Sequence, residues 1–453
     1  MFNPVSTYRI QFHKDFTLSD FEKRIPYFKK LGVSTIYASP LLAATPGSTH
    51  GYDTIDAQLI NPEIGTLEQL KSITRQLKAE GISWLQDIVP NHMAYHPDNK
   101  WLMDVLEKGK SSPYYAHFDF VQPLNEANDA PLMVPFLGNP LEEIVDNGEL
   151  KLEYANGKLY LNYFDSAYPV NAAGYEYVLG SIQNSSTNEQ LQNFNKLENL
   201  EDAAVYSESF EKSLTHLEET LQKDETLTLA VDQQINTIND DKTLLSEIVG
   251  LQYYRLCHWQ ETDEQINFRR FFTVNGLICL NIHRKEVFND YHELIDDLIK
   301  ESYIQGVRVD HIDGLFKPEA YLKQLRELTG PETYIVAEKI LEAGEAFPAD
   351  WPIQGNTGYD FLAWVNNLFT RKDQEKLFTD FYQSFSGEGK PVHEQILEKK
   401  RFILSNYMKG EWKNLHKLFL MLNLATPNEL SKIQPEDLKT AIGELLVHFP
   451  VYR

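Results

Sequence analysis

Two short apolar runs, 307–309 and 335–337, each stop at an acid, and the two acids, Asp310 and Glu338, stand 28 residues apart. That interval holds one helix-forming segment, 318–329, so it reads as one β-α-β step. The two runs are then neighbouring parallel strands joined by a right-handed crossover. Strands of this kind are buried on both faces and are apolar along their length. An arginine inside the first run, Arg308, followed two residues later by a carboxylate, makes sense only where the strand ends open onto a polar site. In (β/α) barrels the C-terminal ends of the strands form the face that carries the chemistry.

The first third of the chain has the same rhythm. Residues 7–12 alternate like a strand, 33–38 form a second, and 83–89 a third. Between the first two, Ser19 with Glu22 reads as a capping box opening a helix with Phe21, Ile25, Phe28 and Leu31 on one side, closed by Gly32. Between the second and third, Thr66 and Gln69 cap a helix carrying Leu67, Leu70, Ile73 and Leu77. "THGYD" (49–53) falls in the loop after the second strand. The rhythm then breaks until about residue 285. The expected class is α/β, a (β/α)8 TIM-type barrel of which strands 1–5 can be found, with a large, mostly helical insertion after strand 3. The divisions are 1–92 (strands 1–3), 93–285 (insertion), 286–360 (strands 4–5 with the strand-end acids) and 361–453 (helical).

The net charge of −24, from 42 Lys+Arg against 66 Asp+Glu, argues against nucleic acid or anionic membrane as partner and suits a neutral substrate. The 24 Tyr, 25 Phe and 6 Trp serve a core first, and as a group they also suit ring-face contact with sugars. Cys257 and Cys279 have no metal-ligand spacing and read as packing residues. Two cysteines make no disulfide framework, the N-terminus has no secretory pattern, and no run approaches 18 apolar residues. The expectation is a cytoplasmic protein without cofactor or metal.

Adjacent strands lie about 4.8 Å apart, and a retaining glycosidase needs two carboxyl groups about 5–5.5 Å apart. Asp310 and Glu338 at adjacent strand ends meet that requirement. Arg308 points to the same side as Asp310 and would hold it ionised. Ile335, Val336 and Ala337 before Glu338 would favour its protonated form. The bland alternative, that such acids merely cap the following helices, weakens once Asp87 also ends a strand.

The stretches "DIVPNH", "GVRVDHIDG" and "IVAEKIL" resemble three signature regions of glycoside hydrolase family 13, the α-amylase family. Within it, "STYRIQF", "YASPLLAATPGSTHGYD", "RRFFTVNGL", "GNTGYDF" and "FPVYR" are similar to the maltooligosyl trehalose synthases. The resemblance implies that Asp310 is the nucleophile and Glu338 the acid/base, with Arg308 positioning Asp310. It implies that Tyr52 stacks on the sugar in the cleaved subsite and that His92 hydrogen-bonds its hydroxyls. Asp87 and Asn91 brace that loop, and His311 lies toward the reducing-end subsites. The implied reaction turns the reducing-end α-1,4 link of a maltooligosaccharide into an α,α-1,1 link. An α-amylase-type hydrolase or 4-α-glucanotransferase would share the acid pair, and an inactive glucan-binding fragment would keep the cleft alone. The family's third acid and its last three strands cannot be found here. The expectation is therefore open sheet edges, and little activity from these 453 residues by themselves.

Overall fold

The computed structural model describes residues 2–121, 130–182, 185–342, 344–387 and 389–450. Its centre is one six-stranded, all-parallel sheet: β1 (Thr7–Ile10), β2 (Thr35–Ala38), β3 (Ser83–Ile88), β4 (Gly306–Val309), β5 (Tyr334–Ala337) and β6 (Gly355–Asn356), side by side in that order. The five strands expected from the sequence are present, in one sheet and in parallel. The sixth is a correction. Gly355 and Asn356 carry no apolar alternation, and the strand exists because it pairs with Val336 and Ala337. The sheet is the open part of a TIM-type barrel, and among the described residues β1 and β6 each pair on one side only.

The helices follow from apolar spacing and caps. α1 (Leu18–Glu22) is capped by Thr17, whose side chain accepts from Asp20 N while Asp20 reaches back to the cap. The box is therefore Thr17–Asp20, not Ser19–Glu22. Ser19 instead accepts a hydrogen bond from Gln69 Nε2. The expected single helix is also two, because Pro26 in the first turn of α2 (Ile25–Leu31) cannot donate to the preceding turn. Gly32, at φ 81°, closes α2 as expected. Thr66 caps α3 (Leu67–Ala79) by accepting from Gln69 N. α4 (Lys285–Lys300) and α5 (Pro318–Thr329) bury Val287, Tyr291, Ile295, Tyr321 and Leu325. On the N-terminal side Phe12, Phe21, Phe28 and Trp84 stack edge and face. Each such ring contributes on the order of 1.5–3 kcal/mol by leaving water.

Residues 93–285 contain more sheet than the sequence suggested. Helices Lys100–Lys108, Ala172–Gly180, Ala203–Lys223 and Glu225–Asp240 are joined by an antiparallel sheet of Leu150–Ala155, Lys158–Tyr163 and Ser166–Pro169. Leu132–Leu137 pairs in parallel with Tyr254–His258. One element returns to the sheet's functional end: Val274–Cys279 runs antiparallel to His92–Ala94, just past β3.

The C-terminal quarter is helical, as expected: α6 (Tyr359–Asn367), α7 (Glu375–Ser386), α8 (Val392–Asn406), α9 (Lys409–Met421) and, after a short turn, α10 (Pro435–His448). α6, α7 and α8 bury none of their residues, and Phe369 and Phe385 are 90% and 85% exposed. Of the stretch "FPVYR", residues 451–453 lie outside the described residues.

Candidate active site

Strand register builds the site. Arg308 on β4 is level with Asp87 on β3 and with Val336 on β5, so Asp310 and Glu338 are level one pleat further on. The ladder continues past the strands: Asp310 N donates to Ile88 O (2.9 Å), and Glu338 N to Val309 O (2.8 Å). Side chains two residues apart share a face of a strand, so Arg308, Asp310, Asp87 and Glu338 converge.

They converge on one guanidinium. Arg308 Nη1 is 2.8 Å from Asp87 Oδ1 and 2.5 Å from Asp310 Oδ1, and Nη2 is 3.0 Å from Glu338 Oε1. A single guanidinium holding both strand-end acids keeps them within its own width plus two hydrogen bonds. That upper bound lies below about 9.5 Å, the largest separation at which two carboxyl groups act on one glycosidic bond.

Burial dominates the electrostatics. It pushes Asp310 up to about 7, against the pull of Arg308 and with help from the Asp87 and Glu338 charges. The expectation that Arg308 keeps Asp310 firmly ionised is corrected: desolvation at 8% exposure outweighs one cation shared among three acids. Asp87 is also raised, again chiefly by burial. It accepts from Tyr37 Oη (2.8 Å) and Tyr52 Oη (2.7 Å) as well as from Arg308. Glu338 is not in the apolar surroundings its sequence neighbours suggested. Its Oε1 faces Arg308 and accepts from Tyr359 Oη (3.1 Å), and its Oε2 accepts from His311 N (3.0 Å). Ile335 and Ala337 point away from it, as alternate residues on a strand must.

The cleft has a volume of about 650 Å³, with Tyr52, His92, Phe271, Asp310, Glu338 and Tyr359 among its walls. The sequence candidates are therefore brought together. His92 Nε2 lies 3.1 Å from Tyr52 O and its Nδ1 3.2 Å from Asn91 Nδ2, so both ring nitrogens have protein partners. Burial, then the nearby His311, brings His92 down to about 3, and the ring is neutral. Asn91, 1% exposed, also takes Leu280 N on its carbonyl, tying the β3 exit to the insertion. His311 adopts a left-handed backbone (φ 48°), which turns its ring away from β4 and against Phe271 and Phe272. Gly314 allows that turn: a Cβ there would sit 2.3 Å from His311 Cδ2 and 2.5 Å from Asn91 Oδ1.

Sequence reasoning missed Arg9, Tyr37, Phe271 and Tyr359 as cleft or Asp87-shell residues. Arg9 Nη2 is 3.2 Å from Tyr52 Oη, and the Phe271 ring centre is 4.6 Å from that of His92. Each lies in a stretch that carried the family resemblance or beside one, but none bears a titrating group at a strand end. Among the described residues, one cluster has metal-like spacing, and it lies outside the cleft: Asp104, Glu107 and Glu211. Lys108 and Lys158 already pair with it. Cys257 and Cys279 are buried thiols, and Cys279 packs against Asn91. No helix among the described residues is long and apolar enough to cross a membrane.

The alpha-amylase catalytic-domain family matches residues 17–179. A Mycobacterium tuberculosis protein provisionally named a maltooligosyl trehalose synthase is 29% identical over 423 residues, 92% of this chain and 45% of its own. A solved glycosyltrehalose synthase is 32% identical with a TM-score of 0.74, over 99% of this chain and 50% of that one. The maltooligosyltrehalose synthase of Arthrobacter ramosus superposes with a TM-score of 0.72 at 27% identity, over 99% of this chain and 48% of its own. The chain thus spans about half the length of the relatives it matches. Residues 17–179 are thus similar to the α-amylase catalytic domain, and nearly the whole chain is similar to about half of the maltooligosyl trehalose synthases.

Proposed function

We propose that the cleft is the substrate site of an enzyme that rearranges the reducing end of a maltooligosaccharide, converting the terminal α-1,4 link to an α,α-1,1 link. The observation that carries this reading is the single Arg308 guanidinium shared by Asp310 and Glu338 at adjacent strand ends. Asp310 attacks the anomeric carbon while Glu338 protonates the departing oxygen, leaving the glycosyl group on Asp310. The freed glucose turns, and its anomeric hydroxyl, deprotonated by Glu338, attacks the same carbon. Arg308 orients both acids, and Asp87 holds Arg308, Tyr37 and Tyr52 in place. Tyr52 supplies the ring face for the cleaved sugar. His92 bonds to the Tyr52 carbonyl and to Asn91, so it fixes that ring, and a sugar hydroxyl bonds to it by displacing one of these partners. His311 lies on the side of the departing glucose.

Residues 1–92 and 286–360 form one catalytic unit in this reading. The 93–285 insertion walls the cleft against water, which would otherwise take the place of the returning glucose. Two buried free thiols fit a cytoplasmic setting. The test is product analysis after incubation with maltopentaose. It is run on this chain and on one joined to the further length its relatives have. We expect a non-reducing, trehalose-ended product from the longer polypeptide, abolished by Asp310→Asn, and little from the 453 residues alone. Formation of shorter maltooligosaccharides only would move the assignment to a hydrolase or 4-α-glucanotransferase. Undiminished product from Asp310→Asn would sink the double-displacement reading.

A further inference from the structure

We propose that Glu411, on α9, is a positioning residue for the cleft: it anchors the buried Arg270, and through it sets the Phe271 ring against His92 and His311. This rests on the reading of the cleft as a glucan site. The Arg270 side chain is 2% exposed. Its Nε donates to Glu411 Oε1 (3.0 Å) and its Nη2 to Tyr407 O (3.0 Å), while Nη1 reaches Thr262 Oγ1 (3.1 Å), Thr273 O (3.2 Å) and Asn275 Oδ1. Among the described residues Glu411 is its one carboxylate partner. The remaining acceptors are neutral, so loss of Glu411 leaves a buried cation without a counter-charge, an arrangement that drives the side chain to move.

Phe271 is the next residue in the chain. The pairing register shifts between Arg270, opposite Ile278, and Phe271, opposite Val274. Irregularities of this kind re-aim a side chain, and here the ring is aimed into the cleft. Its centre lies 4.6 Å from that of His92 and 4.9 Å from that of His311. α9 is also held in place independently of Arg270. Glu264 pairs with Lys409 (2.6 Å) and Lys413 (2.7 Å), Asn414 Nδ2 donates to Ile266 O (2.6 Å), and a Cβ on Gly410 would lie 3.1 Å from the 265–266 backbone. The helix can therefore stay docked when the Glu411 bond is cut, so docking and positioning are separable.

The test uses the full chain with labelled histidine rings, read by NMR. Glu411→Ala should shift the ring signals of His92 and His311, which feel the Phe271 ring current. His292, buried against Phe288 and Tyr321, should not move. Phe271→Leu should shift the same two signals, and Lys409→Ala neither. If Glu411→Ala also moves His292, and so has lost the fold, Glu411→Gln decides, with a smaller shift of the same two rings expected. A folded Glu411→Ala, or in its place Glu411→Gln, that leaves His92 and His311 unmoved overturns the proposal. Where maltopentaose is turned over, KM should rise roughly 3- to 30-fold in Glu411→Ala with kcat less affected. A wild type inactive on maltopentaose would count against the glucan reading alone, because the ring signals report on positioning without it.

Discussion

Arg308 Nη1 lies 2.5 Å from Asp310 Oδ1, and Asp310 nonetheless holds its proton up to about pH 7. The guanidinium is shared with Asp87 and Glu338, so its charge is divided among three acids while each bears its own desolvation cost. The site is held at the expense of stability, as functional sites commonly are.

The sign of the resulting pH dependence follows. The folded pKa of Asp310, about 7, lies above its ordinary 3.8, so the folded state binds this proton more tightly than the unfolded chain does. The contribution is fully present below about pH 4 and is lost as pH rises through 7. Asp310→Asn removes the ionisation. Its stability should match that of the wild type near pH 4, exceed it increasingly up to about pH 7 and level off by pH 8, by an amount on the order of a few kcal/mol. Thermal melts at both ends of that range check it. A mutant less stable at pH 8 would show that the Arg308–Asp310 contact outweighs the burial.

The same proton should govern rate. In the proposed mechanism Asp310 attacks as a carboxylate, so kcat/KM for maltopentaose in an active form of the enzyme should climb with pH through about 7 on its acid limb. A pH–rate profile is the check, and a limb near pH 4 would mean that Asp310 is ionised well before neutrality.

Arg308→Lys should be far from conservative. A lysine offers a point charge with three donors and cannot span Asp87, Asp310 and Glu338 with two separate nitrogens. Loss of one preorganised electrostatic group typically costs about 100- to 1,000-fold in rate, and a fall of that size in kcat with folded structure retained is expected. Circular dichroism alongside the assay separates this from unfolding. A loss under about tenfold would mean that Arg308 is mainly structural.

Much of the candidate site was legible in the sequence because its residues sit at strand ends with a fixed repeat. Asp87, Arg308, Asp310 and Glu338 are placed by pleat and register alone, and the strands around them are apolar enough to be seen. What was not legible depends on contacts between distant segments. Phe271 enters the cleft through a register shift within the insertion. Tyr359 reaches Glu338 from the start of α6, 21 residues downstream. β6 is a strand only because β5 offers it an edge. The Asp310 pKa could not be read either: the motif places a cation beside the acid, whereas burial and two neighbouring carboxylates are properties of the folded site.

The last prediction concerns the outer face of α6 and α7. Trp364 on α6 is 70% exposed, Phe385 on α7 is 85% exposed and Phe369, in the turn just after α6, is 90% exposed, and the two helices bury none of their residues. Exposed large apolar side chains of this kind favour association, and the acidic net charge of −24 opposes it only at long range. The double substitution Phe369→Ser with Phe385→Ser removes rings that contribute little to the folded chain, so its stability should change by no more than about 0.5 kcal/mol. Self-association should fall, seen in sedimentation velocity as a shift toward monomer at equal concentration. The shift should be larger in high salt, where screening lets the wild type associate more. Unchanged association together with a large drop in melting temperature would show that these rings pack inward in solution.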